Sequence, residues 1–202
     1  DQLVDLLRSV PCERTLVFVN SVHNCHVLLN FFRDNGWPVV SFMKGPQGRM
    51  GPRFRDAQRF TDGEASIMVA TEFGGRGIDW HQVDHVINFQ MPTSAVCWLH
   101  RVGRTGRMGK RGLVTNFVGS KDQTLAELIQ MQLKGGKDLH GLFSRKRSLR
   151  RRLKRGSDED SYPEGAAPLG EEHGPCRLDG GLELFASSAA SGSEGTLIGY
   201  LS

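Results

Sequence analysis

Apolar residues gather along this chain in short runs rather than long spans. TLVFV at 15–19, VVSFM at 39–43, IMVAT at 67–71, HVINF at 85–89 and LVTNFV at 113–118 are rich in Val, Ile and Phe. Continuous apolar runs of this length predict strands buried on both faces. Between them the period becomes helical, in SVHNCHVLLNFFRDNG at 21–36, PRFRDAQRFTDG at 52–63 and TSAVCWLHRVGR at 93–104. Ser21 is placed to cap the first of these helices and Gly36 to end it. DQLVDLLRSV at 1–10 reads as an amphipathic helix. SKDQTLAELIQMQLKGG at 120–136 reads as a last helix opened by Ser120 and closed by Gly135 and Gly136. Strand and helix alternate, so the expected fold class is α/β, a parallel sheet with helices on both faces.

The pattern stops near residue 143, and charge shows why. SRKRSLRRRLKR at 144–155 carries eight basic residues and no acid, whereas 156–202 holds nine acids against one base, a contrast hidden in the net charge of +4. The second stretch is rich in Gly, Ser, Ala, Glu and Pro. Such composition has little apolar surface to offset chain entropy, so 156–202 is expected to be a disordered acidic tail. The expected division is a folded domain at 1–143, a basic segment at 144–155 and the tail. The basic run suits nucleic-acid phosphates, with affinity that falls as salt rises, and equally suits a nuclear localisation signal. It lacks interleaved aromatics, so base stacking is not expected of it. The tail's opposite charge could fold back on it.

Cys12, Cys25, Cys97 and Cys176 have no C-x-x-C spacing, so neither a zinc site nor a disulfide framework is expected, and a reducing compartment fits. No apolar run reaches the roughly 18 residues of a spanning helix, so no membrane partner is expected. A first residue of Asp1 rather than Met suggests a piece of a longer chain.

Ligands of open α/β sheets gather beyond the carboxyl ends of the strands. That rule predicts one rim built from FVNS at 18–21, TEFGGRGID at 71–79 and HRVGRTGRMG at 100–109, carrying Thr71, Arg76, Asp79, His100, Arg101, Arg104 and Arg107. Arg104 and Arg107 stand three positions apart at a helix end and can converge on a polyanion. Arginine so placed can stabilise charge on a phosphoryl group in transit. The plainer alternative is a basic helix end facing the helix dipole. Gly103, Gly106 and Gly109 speak against it, because one glycine ends a helix and each extra one costs roughly 0.5–1 kcal/mol relative to Ala. Alone, Asp79 would read as a turn cap, Thr71 as a strand-end hydroxyl and His100 as a packing histidine with no proton-transfer role.

VATEFGGRGID, VINFQMP and LHRVGRTGRMGKRG occur in the order and at the approximate separations found in the second RecA-like half of DEAD-box RNA helicases, which residues 1–134 resemble. The resemblance implies a RecA-like sheet and a set of roles. Arg104 and Arg107 would be the catalytic arginines that reach the γ-phosphate of ATP held on a first RecA-like domain, with Asp79 near the ribose. Mg2+ would be held mainly by that other domain, and this chain would supply no metal ligand. Thr71 and Arg53 would contact RNA, with a solvated helix face as the alternative for Arg53. Arg76, His100 and Arg101 would couple nucleotide state to domain closure. The implied partners are RNA and the N-terminal RecA-like domain of the same protein. Two departures stand out: Glu72 replaces the family's Asp, and MKGPQGRMGPRFR places Met50 where Gln is usual. The chain has no G-x-x-x-x-G-K-[ST] loop, so by itself it is expected to hydrolyse ATP negligibly. The rival reading is a non-catalytic RNA-binding or adaptor protein that keeps the fold.

Overall fold

A computed structural model describes residues 2–10, 12–43, 51–72, 83–107, 109–134, 182–187 and 195–201. Helix α1 (Gln2–Ser9) precedes β1 (Thr15–Val19), α2 (Val22–Asp34), β2 (Val39–Phe42), α3 (Gly51–Thr61), β3 (Ile67–Thr71) and β4 (His85–Asn88). Then come α4 (Ala95–Val102), β5 (Gly112–Val118), α5 (Gln123–Lys134), β6 (Leu182–Ser187) and β7 (Gly195–Leu201). The strand order is β2-β3-β1-β4-β5-β7-β6, with β2 through β5 parallel.

Each of the five runs expected to be strands is one, because β1, β3 and β4 are buried at every position and fit the interior of a doubly covered sheet. One face packs Val17, Val19, Ile67 and Ile87 against Leu3, Leu6 and Leu7 of α1 and Cys25, Leu28 and Phe32 of α2. The other face carries two clusters. Leu16, Phe18, Met68 and Val86 meet Ala57 and Phe60 of α3, while Val114 and Val118 meet Trp98, Leu99 and Val102 of α4 and Leu125 and Ile129 of α5.

Serines cap both α2, as expected, and α4. Ser21 Oγ accepts from Asn24 N–H and Ser94 Oγ from Cys97 N–H. Gly36 takes φ 73°, and the Trp37 and Gly36 N–H groups donate to the Phe32 and Arg33 carbonyls. The Trp37 ring stacks edge-on to Phe32, completing a Schellman end with its hydrophobic contact.

Two expectations change. Residues 120–122 form a turn and α5 begins at Gln123, so Ser120 does not open the helix. The expectation of disorder across 156–202 is overturned for 182–187 and 195–201. There β7 pairs antiparallel with the whole of β5, from Gly112↔Leu201 to Val118↔Gly195, and β6 pairs with β7. An edge strand with unmet backbone groups is satisfied by any chain that can run alongside it, and the tail provides one. The basic segment 144–155 and the rest of the tail lie outside the described residues.

Candidate functional site

Arg101, in the last turn of α4, is only 2% exposed, and its guanidinium ties four elements together. Nη2 donates to Asn20 Oδ1 beyond β1 at 2.7 Å, and Nη1 donates to the Gln90 carbonyl at 2.9 Å and to Asn88 Oδ1 at the end of β4 at 3.3 Å. The Glu72 carboxylate, just past β3, lies 3.7 Å from Nη2, too far for a hydrogen bond but close enough for strong Coulombic attraction. The Phe18 ring sits beneath the cation, its centroid 5.2 Å from Cζ. Burial draws the Arg101 pKa down to about 10, and Glu72 works against that shift. The group therefore stays charged at neutral pH.

The network continues under α4. Asn88 Nδ2 and Trp98 Nε1 both donate to Asn116 Oδ1 of β5 at 2.8 Å, inside a buried layer. Asn20 Nδ2 donates to the Met91 carbonyl. Asn20, Asn88, Gln90, Trp98 and Asn116 were not among the expected site residues. Asn20 stands in FVNS, a stretch already placed on the rim, and Asn88 and Asn116 each interrupt an apolar run, HVINF and LVTNFV. A buried polar side chain inside a strand needs a partner and so marks a polar network.

Arg104 and Arg107 follow in a turn that is locked separately. Thr105 Oγ1 donates to the Val83 carbonyl at 2.6 Å. Gly106 adopts φ 66°, and a Cβ on Gly112 would collide with Thr105 Oγ1 and the Gly106 backbone nitrogen. Gly112 is thus the close-approach glycine against which the turn packs. Arg104 Nε donates to the His100 carbonyl and Arg107 Nε to the Gly103 carbonyl, so both side chains lie across the last carbonyls of α4 while remaining partly exposed. His100 is exposed.

These anchors correct the single rim. Thr71 is 5% exposed and pairs with Val19 at the carboxyl ends of β3 and β1. Val83 and Gly112, in contrast, flank the amino ends of β4 and β5. A helix that joins two parallel strands must run back across the sheet, so the residues after α4 lie near the strand starts. The carboxyl rim keeps Thr71, Glu72 and the guanidinium of Arg101; Arg104 and Arg107 belong to the amino rim. Arg53 lies in the first turn of α3, and Arg76 and Asp79 fall outside the described residues. Among the described residues no group of three or more His, Cys, Asp or Glu side chains could hold a metal ion.

A family model described as the helicase conserved C-terminal domain matches residues 1–109. The chain is 37% identical over 123 residues to the ATP-dependent RNA helicase SrmB of Escherichia coli, covering 61% of this chain and 27% of that protein. It is 39% identical over 119 residues to DEAD-box ATP-dependent RNA helicase 56 of Oryza sativa, with 59% and 27% covered. The C-terminal domain of the DEAD-box protein Dbp5 superposes with a TM-score of 0.59 at 27% identity, covering 65% of this chain and 76% of that domain. The chain thus spans about a quarter of the length of these curated relatives.

Proposed function

Because the chain belongs to the helicase conserved C-terminal domain family, we propose that it forms the second RecA-like half of an ATP-dependent RNA helicase, supplying arginines to a nucleotide held by a first half and gripping the RNA backbone itself. The observation that carries this reading is the locked turn after α4. Two arginines three positions apart are presented by a turn that Thr105 and Gly112 fix to the sheet, with buried Arg101 holding the helix behind them. A preorganised pair of cations costs no rearrangement when charge develops on a phosphoryl group.

The residues fit one side of an ATP site. The turn supplies fixed positive charge, while the sequence has no phosphate loop to hold β- and γ-phosphates. ATP with Mg2+, bound mainly by the other half, would supply the labile phosphoryl group. Arg104 and Arg107 would neutralise its charge, and Asp79, a few residues before Val83 in the chain, would meet the ribose. On the opposite rim Thr71 would meet an RNA phosphate, and Arg53 would add a further contact. His100, Arg101 and Arg76 would link the two edges. Arg101 is suited to that task because its side chain touches the carboxyl rim while its backbone leads into the arginine turn.

The reading is tested by joining the chain to the phosphate-loop half of SrmB and measuring phosphate release with and without single-stranded RNA. RNA-stimulated turnover in the fusion, with none from the chain alone, is the expected result. A folded fusion that binds ATP and RNA without turnover would contradict the reading and favour an adaptor.

A further inference from the structure

The strand order reverses direction between β1 and β4, and at the carboxyl side of that switch point lies a cavity of about 690 Å3. Neither the arginine turn nor Thr71 lines it. Crevices at such switch points are where open α/β sheets take ligands, and the volume lies in the range of small-ligand sites. Phe31, Phe89 and Phe117 form its walls, the last two with ring centroids 5.7 Å apart, and Val27, 54% exposed, stands on the α2 side. Asn24 and Gln90 are its polar lining of interest.

Hydrogen bonding fixes the orientation of those two amides. The Asn20 backbone N–H, which can only donate, points at Gln90 Oε1 at 2.9 Å, so that atom must be the oxygen. Asn24 then donates its Nδ2 to the same oxygen at 2.9 Å, which makes its other atom an acceptor. Among the described residues, Gln90 Nε2 and Asn24 Oδ1 make no hydrogen bond. The cavity therefore sets the two N–H groups of Gln90 Nε2 and the acceptor Asn24 Oδ1, with Gln2 and Asp122 also on its lining, beside three phenylalanine rings. That combination complements a planar heterocycle whose edge offers an acceptor beside a donor, as every nucleobase does.

We propose that this cavity binds a nucleobase, presented by an unstacked nucleotide of single-stranded RNA or by a free nucleotide. The RNA source rests on the helicase reading above; the base pocket does not. Asn20 joins the cavity to the network, since it donates to Gln90 and accepts from Arg101.

The test is NMR of the side-chain amides of Asn24 and Gln90 in the full chain, titrated separately with adenosine, an oligoadenylate and an abasic oligonucleotide of equal length. Adenosine should shift both resonances, and oligoadenylate should do so at about tenfold lower concentration if the base arrives on RNA. Val27→Trp, a change at an exposed position that fills the cavity, should abolish the shifts while leaving abasic-strand binding unaltered. Shifts with adenosine but not with the strand would support the pocket and assign it to a free nucleotide. Unmoved resonances with both adenosine and oligoadenylate would overturn the proposal, as would shifts caused by N-acetyl-tryptophanamide and not by adenosine, which would assign the cavity to a peptide. Loss of turnover in the helicase fusion would leave the adenosine shifts in place, so the two readings fail separately.

Discussion

Arg101 is a full charge inside the protein, and its neighbours determine what removing it costs. Replacement by Met would strip donors from Asn20, Asn88 and the Gln90 carbonyl and remove the cation that Glu72 faces, a loss of about 3–5 kcal/mol in urea unfolding. Lys should recover little of it, because one ammonium cannot reproduce the planar fork that reaches two strand ends at once. A cost below about 1 kcal/mol for Arg101→Met would show that the network is incidental. His85 presents the opposite case. Its Nε2 lies 2.8 Å from Thr115 Oγ1, its Nδ1 is buried with no partner among the described residues, and burial lowers its pKa to about 4. The unfolded chain, with a histidine pKa near 6.5, binds the extra proton more readily. Stability from this group is therefore complete above about pH 6.5 and is lost as pH falls from there toward about 4, by a few kcal/mol in all. Urea titrations at about pH 7.5 and about pH 5 should show the loss in wild type and a smaller one in His85→Val; equal losses would place the effect elsewhere. The sequence displayed Arg101 as one arginine among several. Its burial was not legible, because the oxygens that allow it lie at and just beyond the ends of β1 and β4, 11 to 81 positions away.

Among the elements, β1 to β5 were readable to within a residue, since strands buried on both faces leave unbroken apolar runs. The cap of α2 was equally plain, because Ser21 bonds locally; Ser94 caps α4 in the same way but was not singled out. Direction was not readable from local pattern. Grouping Arg104 and Arg107 with Thr71 ignored that α4 must carry the chain back to the start of β5. The glycines of the arginine turn did signal a special backbone, and Gly112, which had no place in that reading, completes it. Gly112→Ala should force Thr105 and Gly106 off the sheet. The expected outcome is a loss of about 1–3 kcal/mol in urea unfolding, with a lower turnover in the fusion than stability alone explains. Unchanged stability would mean that the turn does not rest on β5.

At the scale of the whole molecule, the tail shows how averaging misleads. Its composition reads as disordered, yet LELFAS and GTLIGYL inside it are strand-like runs that continue the sheet beyond β5. Deleting 182–202 should uncover the backbone of β5. Amide exchange at Val114, Asn116 and Val118, whose N–H groups point away from β4, should then accelerate at least about tenfold, with a rise in self-association by light scattering. Exchange unaffected by the deletion would mean that the hairpin is not docked in solution. Single-turnover cleavage of ATP in the RNA-bound fusion reads out what the arginines do. Arg104→Ala should slow cleavage by about 10³-fold or more while changing ATP affinity only severalfold, because the side chain acts on charge that develops during transfer. A rate equal to that of the unsubstituted fusion, with ATP and RNA both bound, would contradict that role.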